Sequence, residues 1–132
     1  MRGVTRRTMV KSGVAMVVSL GVAGASKAAK GEAMSGGVVH VFVFQWKPGT
    51  TEEQIEKARQ AIAAFQGVIP GLVSVRVGKN LAERNTKGYT FGGVMEFADE
   101  ATYKAYPGHP AHQALLKWLI PLVDPVELDL KG

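Results

Sequence analysis

Apolar residues are densest in residues 38–46, VVHVFVFQW. This run of β-branched and aromatic residues predicts a strand. Alternation places valines on one face, and His40, Phe42 and Phe44 on the other. Because both faces are apolar, we expect this strand to be covered on both sides.

A helical pattern follows the first strand. Pro48 and Gly49 end the strand, and Thr50 is predicted to form a capping box with Glu53. Apolar residues then recur three or four positions apart, which predicts a helix over about residues 51–66. Its buried positions are expected to be Ile55, Ala58, Ile62 and Phe65.

Two further strands are predicted after that helix. LVSVRVG, residues 72–78, alternates valines with polar residues, and YTFGGVMEF, residues 89–97, is again β-branched and aromatic. Gly92 and Gly93 inside the latter segment indicate a bulge or the close approach of another group. The chain between the two strands is polar and predicts a loop.

The last part of the chain predicts a broken helix and a fourth strand. Asp99 can cap a short helix that runs to about Tyr106, and a second helical stretch runs from Pro110 to Ile120. VELDL, residues 126–130, alternates again, and its acidic residues predict one wet face.

The order of these elements is βαββαβ, so the predicted fold class is α+β. It matches a ferredoxin-like protomer, in which helices cover one face of a four-stranded antiparallel sheet. The first strand is nonetheless apolar on both faces, and at about 25 cal/mol per Å² a bare face would forgo several kcal/mol. We therefore expect a second copy of the chain to cover the open face, which gives a homodimer.

Residues 1–25 are predicted to be an export signal. A basic start precedes a short apolar run, and TRRTMVK, residues 5–11, resembles the twin-arginine motif. Small residues at 23–25 offer a cleavage site, and residues 26–37 predict a flexible linker before a domain at 38–131. The protein is therefore expected in the bacterial periplasm or outside the cell. An ordinary secretory signal and an uncleaved membrane anchor are the alternatives.

Charge and composition narrow the classes of function. The formal net charge is +5, but residues 1–25 hold four basic residues and no acidic ones, which leaves 12 basic against 11 acidic residues in the rest. A nearly neutral domain without a basic stripe argues against nucleic-acid binding. The chain has no cysteine, which excludes disulfides, thiolate catalysis and cysteine-ligated metal centres.

The residues that could act in acid–base chemistry are concentrated in AYPGHPAHQALLKW, residues 105–118. Pro110 favours a helix start, so His109 is expected near the N-cap and His112 in the first turn. A helix N-terminus disfavours positive charge, so a histidine there tends to be neutral and can accept a proton. The hydroxyl of Tyr106 can hold or donate a proton. A neutral histidine together with such a hydroxyl suits removal of a proton next to a carbonyl group.

Other interpretations of these residues are open. His112 can pack beneath the sheet, His109 can simply cap the helix, and His40 can be a hydrogen-bonded core residue. A metal site built from all three histidines is conceivable. No carboxylate lies at a convincing ligand spacing, however, so no metal is predicted.

Four segments together resemble the stress-responsive dimeric α/β-barrel (Dabb) family. They are VVHVFVFQWKPGTTEEQI, IPGLVSVRVGKN, GYTFGGVMEF and YPGHPAHQAL, and they span about residues 38–130. The resemblance implies a ferredoxin-like protomer that joins a second copy to form a barrel. Many members have no established activity, but the family includes a plant polyketide cyclase that uses neither a metal nor an organic cofactor.

Similarity to that cyclase implies catalytic roles for His40, Tyr106 and His112. His109 matches a further histidine of the cyclase. Phe91 stands where the cyclase has a histidine, which implies a more apolar pocket in this chain. The residues predicted to line the pocket are Phe42, Phe65, Phe91, His109 and Trp118.

Three hypotheses follow for the function. The first is an exported dimeric protein that binds a small apolar or aromatic molecule between sheet and helices. The second is a cofactor-free cyclase or lyase in which His112 is the base, Tyr106 its hydrogen-bonding partner and His40 an orienter. The third is a related dimeric-barrel oxygenase or haem-degrading protein, although the sequence has no feature specific to haem. No cofactor, metal or nucleic-acid partner is expected, and contact with a membrane is expected only through export or an uncleaved leader.

Overall fold

The computed structural model describes residues 37–132, so the predicted export signal and all but the last residue of the predicted linker lie outside the described residues. The strands are β1 (Val38–Trp46), β2 (Leu72–Lys79), β3 (Phe91–Phe97) and β4 (Val123–Lys131). The α-helices are α1 (Glu52–Ala63), α2 (Glu100–Ala105) and α3 (Pro110–Leu119), and 3₁₀ turns cover Tyr106–Gly108 and Ile120–Leu122. No helix in this range is long and apolar enough to cross a membrane.

The four strands form one antiparallel sheet in the order β2-β3-β1-β4. This order, with helices in the two crossovers, confirms the expected α+β, ferredoxin-like arrangement. β1 lies between β3 and β4, so its side chains contact both neighbours. In the pairing of β1 with β4, Val41 lies opposite Leu128 and His40 lies opposite Asp129.

One face of β1 packs against the helices, as its alternation predicts. Phe42 and Phe44 are buried in the same apolar cluster as Ile62 of α1 and Leu115 of α3. The valines on the opposite face of β1 are only half-buried. The helices therefore cover one side of the sheet, and the other side stays apolar and open in a single chain.

The start of α1 differs from the expectation by one residue. Thr51 is the N-cap, since its side chain accepts from Gln54 N at 3.1 Å and the Gln54 side chain accepts from Thr51 N at 2.9 Å. Thr50 instead donates to the Lys47 carbonyl at 2.7 Å. The predicted capping box is wrong because Thr50 stabilises the turn after β1. α1 also ends earlier than predicted, at Ala63.

β4 begins before the predicted strand, and its acidic face turns towards the helices. The register that sets Asp129 opposite His40 puts Glu127 on the same side, and both carboxylates keep contact with solvent at the sheet edge. The predicted wet face is confirmed by the exposure of both carboxylates, and the same face also supplies the partner of a buried histidine. The residues that project from the other side, each about half exposed, are Val126, Leu128 and Leu130.

Gly93 allows β3 to approach the ring of Phe42 closely. A Cβ at this position would lie 2.4 Å from Phe42 Cζ and 2.6 Å from the carbonyl oxygen of Arg76. This confirms the close approach that the glycine pair indicates. The irregular register of the sheet lies in β2 instead, between Leu72 and Ser74.

Gly93→Ala is expected to destabilise the fold by about 1–3 kcal/mol, the usual range for overpacking a filled site. The matched control is Gly78→Ala on β2, where a Cβ would meet nothing within 4 Å. Urea unfolding monitored by fluorescence compares the two variants with the wild type. Equal unfolding midpoints for the two variants would contradict the crowding at Gly93.

Candidate functional site

His40 is a buried polar residue whose partner comes from the neighbouring strand. It is 7% exposed, and its Nδ1 lies 2.5 Å from Oδ1 of Asp129. A carboxylate oxygen only accepts, so Nδ1 carries the hydrogen and donates it to Asp129. In the neutral imidazole the lone pair is then on Nε2.

Asp129 accepts from a second donor, the hydroxyl of Tyr103 on α2. Burial acts to raise the pKa of Asp129, but the hydrogen bonds from Tyr103 and His40 outweigh it and hold the pKa below its ordinary value. The hydrogen bond to Asp129, with burial and the charges of Asp129 and Glu127, raises the pKa of Tyr103 to about 12. At neutral pH the carboxylate is therefore ionised and the hydroxyl is protonated.

Tyr106 begins the 3₁₀ turn between α2 and α3 and is buried. Its ring centroid lies 6.0 Å from that of His40 and 4.3 Å from that of His112. Burial, reinforced by the negative charge of Glu127, raises the pKa of the Tyr106 hydroxyl well above its ordinary value. Tyr106 is therefore a hydrogen-bond donor at neutral pH and not a base.

His112 lies in the first turn of α3, as predicted, and is half-buried. Its Nδ1 lies 3.0 Å from the carbonyl oxygen of Pro107. A carbonyl oxygen only accepts, so Nδ1 carries the hydrogen and the neutral ring keeps its lone pair on Nε2. Gln113 donates to the same carbonyl at 2.6 Å. The backbone of the turn thus sets the tautomer of His112.

His40, Tyr106 and His112 line one cavity between the sheet and the helices. Its volume is about 50 Å³. Since a single water needs roughly 10–15 Å³, a small ligand or part of a larger one fits inside. Most of the remaining wall is apolar and includes Phe42, Phe44, Ile62, Met95, Leu115 and Leu119.

Phe42 lines this cavity, but the other aromatic residues predicted to line it lie elsewhere. Phe91 is 1% exposed within the core. Phe65 packs edge-on against the ring of Tyr106, with centroids 6.0 Å apart. It therefore contacts a residue of the cavity wall without lining the cavity itself. Trp118 lies in a shallow apolar groove between α1 and α3.

His109 caps α3 and does not line the cavity. Its Nδ1 accepts from the backbone N–H of Ala111 at 3.0 Å, which agrees with the capping interpretation. Within residues 37–132 the donor group with metal-ligand spacing does not combine the three histidines. It joins His40 to Glu127 and Asp129, and its ligand atoms lie within 4.8 Å of one another.

The sequence interpretation missed Tyr103, Glu127 and Asp129. Residues 127 and 129 share one face of their strand, because side chains alternate with a period of two. Pairing with β1 sets that face either beside the valines or beside His40. The need to give a buried histidine a partner favours the second arrangement, and it is the signal that could have identified Asp129.

The stress responsive A/B barrel domain (Dabb) family matches residues 38–130. The chain belongs to this family. A curated relative, olivetolic acid cyclase of Cannabis sativa, is 32% identical over 76 residues, which are 57% of this chain and 75% of the cyclase.

Solved structures of similar fold agree with this membership. A protein of Arabidopsis thaliana has a TM-score of 0.66 at 26% identity, with 72% of this chain and 94% of that chain covered. A protein of Thermobifida fusca, described as dimeric, ferredoxin-like and of unknown function, has a TM-score of 0.64 at 29% identity, with 74% and 92% covered. The fold is thus shared along nearly the whole length of these two solved proteins.

Asp129→Asn is expected to reduce the loss of unfolding free energy that this Dabb protein shows as the pH falls into the acid range. The folded-state pKa of Asp129 lies below the ordinary 3.8. Ionised Asp129 therefore stabilises the fold above that ordinary value, and the contribution is lost as the pH falls through the folded-state pKa.

Denaturant unfolding from about pH 5 to about pH 2 measures this effect. The wild type should lose more unfolding free energy over that range than Asp129→Asn. Asp124→Asn, on the same strand, is the control and should follow the wild type. Parallel profiles for the wild type and Asp129→Asn would contradict the role of Asp129.

Proposed function

We propose that this Dabb protein binds a small, mostly apolar molecule in the cavity between sheet and helices. The observation that carries the proposal is that His40, Tyr106 and His112 meet in a cavity whose remaining wall is apolar apart from Glu127. An apolar cavity with a few convergent polar groups is typical of small-molecule sites. The apolar wall would hold an aromatic or aliphatic group, and the polar side chains would orient an oxygen atom of the ligand.

Acid–base catalysis on a carbonyl compound is the second candidate function, and the tautomer of His112 favours it. Nε2 of His112 can take a proton from a carbon beside a carbonyl, and the electrons of the C–H bond then form an enolate. The protonated hydroxyl of Tyr106 can donate to the enolate oxygen and stabilise its charge. His40 would orient the substrate from the opposite side of the cavity.

The second half of this reaction would close a ring. The enolate carbon attacks another carbonyl of the same molecule, a carbon–carbon bond forms, and His112 returns its proton to the new alkoxide. Atoms balance without an oxidant, a reductant or a cofactor. The similarity to olivetolic acid cyclase supports this reaction class.

The protein is further proposed to act as an exported homodimer. The outer face of the sheet is apolar, and a second copy would remove it from water. Several solved relatives are described as dimeric, which supports the same assembly here. Export rests on the twin-arginine pattern of the sequence. The apolar residues of the outer face include Val39, Val41, Val43, Val94, Val126, Leu128 and Leu130.

Native mass spectrometry of the protein recovered from the periplasm is expected to show two mature chains with a bound small molecule. Ile120→Trp, at a 51%-exposed position that lines the cavity, should block the cavity and remove the adduct. Val68→Trp, at a 52%-exposed position outside the cavity, should keep it. A single chain would contradict the dimer. An empty wild type, or an adduct that survives Ile120→Trp, would contradict the binding site.

Acid–base function predicts that the protein accelerates exchange of the hydrogens beside the carbonyl of a small aromatic ketone in D₂O. His112→Ala removes the proton acceptor and should lower the rate by about 10²–10⁴-fold. Tyr106→Phe removes one donor to the enolate and should lower it by about 10²–10³-fold. Proton NMR measures the exchange, with Tyr89→Phe as the matched control outside the cavity. Wild-type rates in both cavity variants would contradict the assignment.

A further inference from the structure

We propose that His40, Glu127 and Asp129 form a binding site for one divalent transition-metal ion beside the cavity. One nitrogen of His40 and one oxygen of each carboxylate lie within 4.8 Å of one another. Imidazole and carboxylate donors together suit ions such as Zn²⁺, Mn²⁺ or Fe²⁺. The site is independent of the roles proposed for His112 and Tyr106 and does not rest on them.

Two paired strands hold the three donors in place. His40 and Asp129 lie directly opposite each other on β1 and β4, and Glu127 lies two residues from Asp129 on the same face. Ligand atoms around an ion at about 2.0–2.2 Å would be closer together than they are now, so rotation of the carboxylate side chains would complete the site. His40 and Glu127 also line the cavity, so the remaining coordination positions would face it.

The charge of this group favours a cation. Among residues 37–132, Asp129 is hydrogen-bonded to His40, and no lysine or arginine pairs with Glu127 or Asp129. Lys131 on the same strand pairs with Glu100 instead, at 3.6 Å. Two carboxylates beside one imidazole are therefore uncompensated by basic side chains, and a divalent ion would neutralise them.

Tyr103 provides the outer contact that ordered metal sites typically have. Its hydroxyl donates to Oδ2 of Asp129, which leaves Oδ1, the atom nearest His40, to bind the ion. A bond from the ion to Nδ1 of His40 would replace the hydrogen bond to Asp129. The ring hydrogen would then lie on Nε2, so the ion would convert His40 from an acceptor into a donor towards the cavity.

Calorimetric titration of the purified, chelator-treated protein with Zn²⁺ and with Mn²⁺ tests the site. The wild type is expected to bind one ion per chain. Glu127→Gln keeps the shape of the side chain but removes a charged ligand, and it should weaken binding by about 10–100-fold or more. Glu83→Gln, at an exposed position in the loop between β2 and β3, is the matched control and should bind like the wild type.

Histidine ring NMR during the Zn²⁺ titration identifies the ligand. The signals of His40 are expected to shift, with its hydrogen moving to Nε2, while those of His109 and His112 stay in place. The proposal is overturned if binding does not saturate at one ion per chain, if Glu127→Gln binds like the wild type, or if His112 shifts instead. None of these readouts depends on ketone exchange, so failure here and failure of the acid–base function are distinguishable.

Discussion

The hydrogen bond between His40 and Asp129 across β1 and β4 is the contact on which the rest of the site depends. A buried polar group without a partner costs about 1–3 kcal/mol, and Asp129 removes that cost while keeping access to water at the sheet edge. The same register turns Leu128 to the outer face, opposite Val41. One strand pairing therefore decides which side of the sheet carries the polar site and which side stays apolar.

The cavity combines two imidazoles and one hydroxyl inside a wall that is apolar apart from Glu127. The carbonyl of Pro107 and the carboxylate of Asp129 accept from Nδ1 of His112 and of His40, so in the neutral form of each ring the lone pair is on Nε2. Burial keeps the hydroxyl of Tyr106 protonated. Fixed polarity of this kind suits a carbonyl compound, whose oxygen accepts a hydrogen bond and whose neighbouring carbon can release a proton.

Local signals predicted the features that depend on a few neighbouring residues. Asp99 and His109 cap their helices as expected, because capping involves backbone groups only two or three positions away. The cap of α1 was misplaced by one residue because Thr50 and Thr51 are adjacent. Thr50 is hydrogen-bonded in the turn before the helix, and Thr51 forms the cap. Asp129 was missed, because its role depends on the register of strands 89 residues apart in sequence, and only the need of a buried histidine for a partner pointed to it. Phe91 suits a core and a cavity wall equally well, so its type alone does not place it.

The nitrogen-bound hydrogens of the histidine rings test the central claim most directly. Long-range proton–nitrogen correlation NMR of the metal-free protein, at about pH 8 or above where imidazoles are neutral, identifies which nitrogen carries the hydrogen in each ring. The account predicts Nδ1–H for His40 and His112, and Nε2–H for His109, whose Nδ1 accepts from the backbone of α3. Nε2–H in His112 or His40 would contradict it, because the cavity would then lack the proton acceptors from which its function is argued.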